Sequence, residues 1–383
     1  MLIYNVAARC LERLPEGTIM RQLIIAGLSL AAACFFSPAD ARVQRIEIVS
    51  RQAFAAGTEF GHAGAYEKLR GRAFFALDPD TAANGPIADL KLAPRNDRGL
   101  VEFSAEFLVC DPPTSLAATA RFCTRSTTGN IAIFRQLHEA PSNNDPSTAA
   151  DAGNGFLLRH GFTLVWSAWA SDVAATPGDN RLVLRPPIAT KDGTPITGKV
   201  AYELTVDAPR ATARFTGMLG TAYPVASEGA PDAVLSERDR PEGERRPIPR
   251  AAWSFVAPRG GAAATEITLD SGFKPGRIYE LTYTARDPAV VAVGMAGIRD
   301  LMSYLRNNPL AGAPAPQASI IFGISQSGRL IQTMLLRGLH VDEDGRRVFD
   351  GAFIHVAGGG KGGFDYRFAM PTRHFSVLEG PRD

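Results

Sequence analysis

A serine between small residues, at the junction of a predicted strand and a predicted helix, offers the clearest chemistry in this sequence. The stretch Gly323-Ile324-Ser325-Gln326-Ser327 follows an apolar run at 320–322 and precedes apolar residues at helical spacing. A sharp turn of this kind exposes a nucleophilic serine hydroxyl, and it needs small neighbours because the strand and helix backbones approach closely. Ser327 stands where this pattern has glycine, and Gly328 follows it. The alternative is that Ser325 and Ser327 only cap the helix.

The residue after this serine completes part of the predicted site. The backbone N–H of Gln326 would lie at the helix N-terminus, where unpaired N–H groups favour negative charge. Attack by the Ser325 hydroxyl on a carbonyl carbon creates such a charge on the carbonyl oxygen. The sequence therefore predicts Gln326 as a backbone oxyanion donor.

The elements around the turn predict an α/β fold. A helix is predicted from Asp287-Pro288 to about residue 307, and with the strand that follows it forms a right-handed β-α-β crossover. The alternating pattern over 43–109 predicts an N-terminal antiparallel β layer. Short strand patterns indicate a β-rich insertion at about residues 180–285. We expect one domain over residues 42–383.

Composition excludes several classes of protein. The chain has 383 residues, of which 45% are hydrophobic and 21% are charged, as in ordinary globular proteins. Its formal net charge is +2, and no basic run is interleaved with aromatic residues, so nucleic acid is not an expected partner. The six histidines are scattered without a pair at ligand spacing, and we predict no metal and no cofactor.

The N-terminus is typical of an export signal. From Met20, one basic residue precedes an apolar core and the A-x-A cleavage motif at 39–41, which would leave Arg42 first in the mature chain. Residues 1–19 are interpreted as a leader from an upstream start codon. We therefore expect a periplasmic or secreted protein with no membrane span after cleavage. The alternative is a lipoprotein that begins at Cys34.

Export makes the cysteine count informative. Cys10 and Cys34 fall in the segment predicted to be removed, which leaves Cys110 and Cys123 in the mature chain. In an oxidising compartment these two are expected to form a disulfide. The alternative is that both are buried free thiols.

Four stretches carry a resemblance to a known family: GNGFLLRHGFTLVWSAWASD, YELTYTARDPAVVAVGMAGIRDLMSYL, FGISQSGRLI and HVAGGGKGGFDYRFAMP. Through them the chain, from about Val43 to about Glu379, resembles the bacterial alpha/beta hydrolase domain-containing proteins. The resemblance implies an α/β-hydrolase-like, mostly parallel sheet, export, and Ser325 as the nucleophile. Relatives tend to have Asn-Arg-Gly after the strand that ends at Phe134, where this chain has Gln136-Leu137-His138.

In such hydrolases the acid and then the histidine follow the serine along the chain. Asp365 and His374 keep that order and are the candidate acid and base. The chain stops at Asp383, one predicted strand past the helix, so we expect the C-terminal strands to be missing.

Three functional hypotheses follow. The first is a serine hydrolase of the esterase type that acts on a small-molecule ester-like substrate through Ser325. The second is a truncated, inactive relative that lacks the triad acid and histidine. A non-enzymatic binding module would need a cleft with converging polar groups, and the sequence shows no such cluster.

Overall fold

The computed structural model describes residues 42–112, 120–124, 131, 133–174, 178–216, 220–227, 229–256, 263–308, 316–360 and 362–372. The predicted leader, signal peptide and cleavage motif, together with His374, lie outside these residues. Within them, no helix is both long enough and apolar enough to cross a membrane.

Strands predominate among the described elements. The strands are β1 (Val43–Ala53), β2 (Glu67–Leu77), β3 (Val101–Asp111), β4 (Ala120–Thr124), β5 (Phe162–Ser167), β6 (Leu184–Arg185), β7 (Thr190–Lys191), β8 (Thr194–Pro195), β9 (Thr197–Leu204), β10 (Arg210–Arg214), β11 (Val234–Arg238), β12 (Arg246–Ile248), β13 (Trp253–Phe255), β14 (Glu266–Phe273), β15 (Ile278–Arg286), β16 (Ser319–Ile324) and β17 (Gly351–His355). The α-helices are α1 (Ile133–Leu137), α2 (Ala149–Ala152), α3 (Phe156–Arg159), α4 (Val293–Asn307) and α5 (Gln326–Leu336). Short 3-10 turns cover Phe54–Gly57, Gly61–Ala63, Ala82–Asn84, Leu90–Leu92 and Arg250–Ala252.

The largest sheet is mixed, with the strand order β1-β2-β3-β5-β4-β16-β17 and β6 paired to β3. Parallel pairing is found between β5 and β4, β4 and β16, and β16 and β17, whereas β1, β2, β3 and β5 pair antiparallel. The smaller sheets are antiparallel throughout their described strands. The prediction of an α/β-hydrolase-like, mostly parallel sheet is therefore wrong. Parallel neighbours require long crossovers, and much of this chain instead pairs consecutive strands antiparallel.

The region between β6 and α4 builds small sheets of its own. One sheet has the order β12-β11-β15-β9, a second has β10-β14-β13, and β7 pairs with β8. Aromatic residues on the first two sheets pack into a separate hydrophobic cluster that includes Tyr202, Phe215, Trp253 and Tyr283. The core of the large sheet forms a different cluster around residues such as Trp166.

Helix α4 begins at Val293, five residues after the predicted first helical residue Pro288. Asp287 has a φ of 62°, and its N–H donates to Ile196 O. The Ala189 N–H donates to Pro288 O at 2.9 Å, and the Val290 N–H donates to Pro187 O at 3.0 Å. These pairings with the segment before β7 hold residues 287–290 out of the helix. The predicted start at Asp287-Pro288 is wrong because tertiary pairing outweighs a good local capping sequence.

The predicted disulfide is also wrong. Strand β5 lies between β3 and β4, and Cys110 pairs with Leu164 on one side of it while Cys123 pairs with Val165 on the other. Two interstrand spacings place the two backbones roughly 9–10 Å apart, whereas a disulfide needs Cα atoms within about 7 Å. Cys110 is accordingly a buried free thiol.

The parallel block positions the functional candidates. Because β5, β16 and β17 point the same way, their carboxyl ends meet at one edge of the sheet. Helix α5 starts at that edge directly after β16, and its Leu330, Ile331 and Met334 join the large core. Strand β5 ends at the same edge, and the chain continues from it to Asp172.

Candidate functional site

Ser325 occupies a single-residue turn between β16 and α5. Its φ is 52° and its ψ is −115°, a backbone conformation that non-glycine residues rarely adopt and that costs roughly 1–3 kcal/mol. The turn is held by the Ser325 N–H, which donates to His355 O at 2.9 Å, and by Ser325 O, which accepts from the Arg329 N–H at 3.0 Å. Strain of this kind clusters at functional positions, so the observed outlier points to a functional role for Ser325.

The small residues around Ser325 are required by contact. A Cβ at Gly323 would lie 2.6 Å from Ser327 O and 2.6 Å from Ile331 Cδ1, and one at Gly328 would lie 2.9 Å from Ala357 Cβ. Ser327 is fully buried. Its hydroxyl donates to Ile324 O and accepts from the Ile324 N–H, both at 2.8 Å. The serine in place of the last glycine therefore braces the turn from inside.

The Ser325 hydroxyl is half-buried and has no hydrogen-bond partner among the described residues. The neighbouring Gln326 is buried and opens α5, where an α-helix leaves backbone N–H groups without intrahelical partners. The positive end of the helix dipole lies at the same point. A hydroxyl and an adjacent N–H at a helix start are the groups that acyl transfer requires, with the hydroxyl as nucleophile and the N–H for the developing oxyanion.

The Gln326 side chain ties the turn to a distant segment. Its Nε2 donates to Pro371 O, and its buried Oε1 has no hydrogen-bond partner within the described part of the chain. Thr372, the next residue, donates from its N–H to both Asp172 carboxylate oxygens at 3.0 and 3.1 Å, and from its Oγ1 at 2.8 Å. Residues 371–372 thus bridge the Ser325 turn and the end of the β5 segment.

Asp172 is the residue that sequence reasoning missed. Burial raises the pKa of its carboxyl to about 6, although the hydrogen bonds from Thr372 act in the opposite direction. The sequence signal is a polar residue soon after the carboxyl end of a buried strand, GFTLVWSAWASD, which is where ligands bind in open sheets with parallel strands. Its partner Thr372 is 200 residues away in sequence, and no local pattern connects the two.

The candidate acid Asp365 is not brought to Ser325. Its carboxylate accepts from Arg337 Nε at 3.0 Å and from the Ala88 N–H at 2.9 Å. Arg337 caps the far end of α5, about 18 Å along the helix axis from Ser325. Burial raises the pKa of Asp365, although the hydrogen bond from Ala88 and the charge of Arg337 act in the opposite direction. Asp365 therefore connects the end of α5 to the segment before β3.

Two described histidines follow Ser325 in the chain. His355 lies at the end of β17 with an exposed side chain, and its backbone oxygen binds the Ser325 N–H. His340 lies after α5, and its buried Nδ1 has no hydrogen-bond partner in the described ranges. The predicted base His374 falls outside the described residues.

His138 is fully buried and has a structural role that the sequence did not predict. Its Nδ1 bonds to Ala152 O at 3.0 Å, and the Leu157 N–H donates to its Nε2 at 3.1 Å. Both ring nitrogens are therefore used, with the proton on Nδ1. Burial lowers the pKa of His138 to about 4. This residue joins α1 to α2 and α3 as a neutral structural group.

A cavity of about 390 Å³ opens beside Asp172. Its walls come from five segments of the chain, with Ser171, Asp172, Pro186, Ile188, Thr221, Ala222, Tyr223, Pro224, Asp287, Ala289 and Met370 lining it. Met370 precedes the Pro371 carbonyl that accepts from Gln326. This volume lies in the range of small-molecule pockets. Among the described residues, no three His, Cys, Asp or Glu side chains are grouped so as to hold a metal ion.

Comparison with known proteins gives one match. Residues 191–376 match a family model described as an alpha/beta hydrolase domain, a stretch just under half of the chain that includes Ser325 and Gln326. Similarity to this family indicates a hydrolase. No curated protein and no solved structure matches the chain.

Proposed function

We propose that this protein is a serine hydrolase of the esterase type, with Ser325 as its nucleophile. The observation that carries the proposal is the strained turn at Ser325, whose hydroxyl lies beside the first N–H of α5 and has no partner among the residues that the structure describes. A turn that served only to reverse the chain would favour glycine at a φ of 52°. The match to the alpha/beta hydrolase domain supports the same class.

In the proposed reaction the Ser325 oxygen attacks the ester carbonyl carbon while a histidine removes the hydroxyl proton. The carbonyl oxygen becomes an oxyanion, which accepts from the Gln326 N–H at the positive end of α5. The tetrahedral intermediate then breaks the carbon–oxygen bond to the alcohol, which leaves with the proton from the histidine. Water activated by the same histidine cleaves the acyl-enzyme.

We assign the base to His374 in this proposal. It is two residues beyond Thr372 in sequence, so the chain permits a Cα separation of at most about 7 Å from that residue. Thr372 is itself next to Pro371, which binds the Gln326 side chain. Asp365 has no part in the proposal because its partners lie at the far end of α5.

The test combines a fluorophosphonate probe with turnover of p-nitrophenyl acetate. The probe should modify Ser325, as identified by peptide mass spectrometry, and Ser325→Ala should lose both labelling and turnover. Ser254→Ala is the control, because it removes an exposed serine hydroxyl outside this turn and should keep the labelling. Labelling that persists in Ser325→Ala, or no labelling and no turnover in the unaltered protein, would overturn the proposal.

The base is tested in the same assays. His374→Ala should lower turnover by roughly 10³-fold or more, since a serine without its base retains only the contribution of the oxyanion donors and binding. His355→Ala is the control, because its exposed imidazole lies at the same edge of the sheet and should be dispensable. The reverse result would assign the base to His355.

A further inference from the structure

The cavity beside Asp172 combines an apolar wall with an unbalanced negative charge. Seven of its eleven lining residues are Pro186, Ile188, Ala222, Tyr223, Pro224, Ala289 and Met370, and no lysine or arginine is among the eleven. The two carboxylates that line it differ in their partners. Asp287 forms an ion pair with Arg286. Among the described residues, the Asp172 carboxylate accepts hydrogen bonds from Thr372 and from its own backbone N–H but forms no ion pair.

A carboxylate in such surroundings gains most from a cation. Removing an ionised group from water is costly unless an opposite charge or several hydrogen bonds replace the lost hydration. Thr372 supplies hydrogen bonds but no charge. The pKa of Asp172 is raised to about 6 by its burial, and the group is therefore still ionised at neutral pH. The Tyr223 ring adds a second favourable surface, because aromatic faces attract ammonium groups.

We propose that this cavity binds an organic cation, namely a compact alkylammonium group whose charge pairs with Asp172 and whose methyl groups contact the apolar wall. A metal ion does not fit this wall, which offers few oxygen ligands. An anion would meet two carboxylates without a cationic partner in the lining. A neutral apolar ligand would leave the Asp172 charge without compensation.

The position of the cavity links it to Ser325. Met370 lines the cavity, Pro371 binds the side chain of Gln326, and Thr372 binds Asp172. A ligand seated at Asp172 is therefore separated from the Ser325 turn by one short segment. This extension rests on the proposed function: the preferred substrates are esters with an ammonium group in either the acyl or the alcohol part.

The experiment measures binding of choline and of 3,3-dimethyl-1-butanol by isothermal titration calorimetry. The two probes have nearly the same shape, and only choline carries a charge. We expect choline to bind at least about tenfold more tightly, since a partly buried ion pair and a cation–π contact both favour it. Asp172→Asn should abolish this preference. Asp232→Asn is the control and should keep the preference, because Asp232 is an exposed carboxylate that pairs with Lys199 and does not line the cavity.

Several outcomes would overturn the inference. They are equal binding of the two probes, no choline binding by the unaltered protein, and a preference that survives in Asp172→Asn. Circular dichroism of each variant checks that the fold is retained. Ser325→Ala should bind choline as the unaltered protein does, which separates binding from hydrolysis.

A second arm compares hydrolysis of acetylcholine with that of 3,3-dimethylbutyl acetate. We expect a higher kcat/KM for acetylcholine, and Asp172→Asn should remove the difference. If choline binds but no ester is hydrolysed, the cavity assignment stands and the proposed function fails. If p-nitrophenyl acetate is hydrolysed through Ser325 while choline does not bind, the proposed function stands and the cation site is refuted.

Discussion

Replacement of Gly323 by alanine tests whether close contact between β16 and α5 shapes the Ser325 turn. The added Cβ would lie 2.6 Å from Ser327 O, 2.7 Å from Ser327 C and 2.6 Å from Ile331 Cδ1. The Ile331 side chain can turn aside, but the backbone of Ser327 cannot easily retreat. The Ser327 hydroxyl is hydrogen-bonded to both backbone groups of Ile324, and Ser327 is the second residue of α5.

The expected magnitude follows from two opposing terms. Overpacking of this kind costs typically about 1–3 kcal/mol in the free energy of unfolding. Replacing glycine also reduces the conformational entropy of the unfolded chain, which raises the free energy of unfolding by about 0.4–1 kcal/mol. Gly351→Ala is the matched control, since Gly351 lies in the adjacent strand β17, pairs with Ile320 of β16, and would place its Cβ 3.8 Å from the nearest atom. The control should be neutral or slightly stabilised.

Urea unfolding followed by tryptophan fluorescence measures both variants, and the rate of fluorophosphonate labelling is measured on the folded proteins. Gly323→Ala should unfold at lower urea and label more slowly, because the clash moves the Ser325 turn and the Gln326 N–H together. Gly351→Ala should match the unaltered protein in both measurements. Equal stability and equal labelling of the two variants would refute the argument that the turn depends on this contact.

Three further predictions concern His138, Cys110 and the mature N-terminus. The pKa of His138 is about 4 in the folded protein and 6.5 without the fold, so the unfolded state binds the proton first as pH falls. The free energy of unfolding should then drop by up to about 3 kcal/mol between pH 6.5 and 4. Urea midpoints measured across this pH range should fall less steeply in His138→Gln than in the unaltered protein. The same pH dependence in both proteins would contradict the assignment. Cys110 should resist iodoacetamide in the folded protein and react in urea without reductant; a thiol that appears only after reduction would show that it is in a disulfide. Mass spectrometry of the exported protein should find Arg42 at the N-terminus, whereas a lipidated Cys34 would identify the other signal class.

The strand, turn and helix around Ser325 could be predicted because each step depends on neighbouring residues. The apolar run at 320–322, the small residues of the turn and the helical spacing after it all lie within twenty residues. The role of Ser327 shows the limit of that reasoning. Its size was a reason to accept it in place of glycine, but the two hydrogen bonds that its hydroxyl makes to Ile324 appear only in the folded turn.

The sheet could not be predicted in the same way because strand neighbours are set by long-range pairing. Strand β5 enters between β3 and β4, although it follows both in the chain. Because β5 lies between them, the strands that carry Cys110 and Cys123 are not neighbours, and the two cysteines are too far apart for the predicted disulfide. The late start of α4 has a similar cause, since residues 287–290 pair with the segment before β7 instead of joining the helix.

The two parts of the candidate site therefore differ in kind. The Ser325 turn is encoded locally, and its chemistry can be recognised from a short pattern. The cavity at Asp172 is assembled from five segments of the chain, and the Asp172 carboxylate accepts hydrogen bonds from Thr372, which is 200 residues away in sequence. The turn depends on a short local pattern, whereas the cavity depends on contacts between residues that are distant in sequence. Substitutions can therefore change the cavity without changing the turn. In the proposed function the reaction chemistry thus depends on the Ser325 turn, while the proposed ligand preference depends on the contacts of residues 370–372 with the Asp172 cavity.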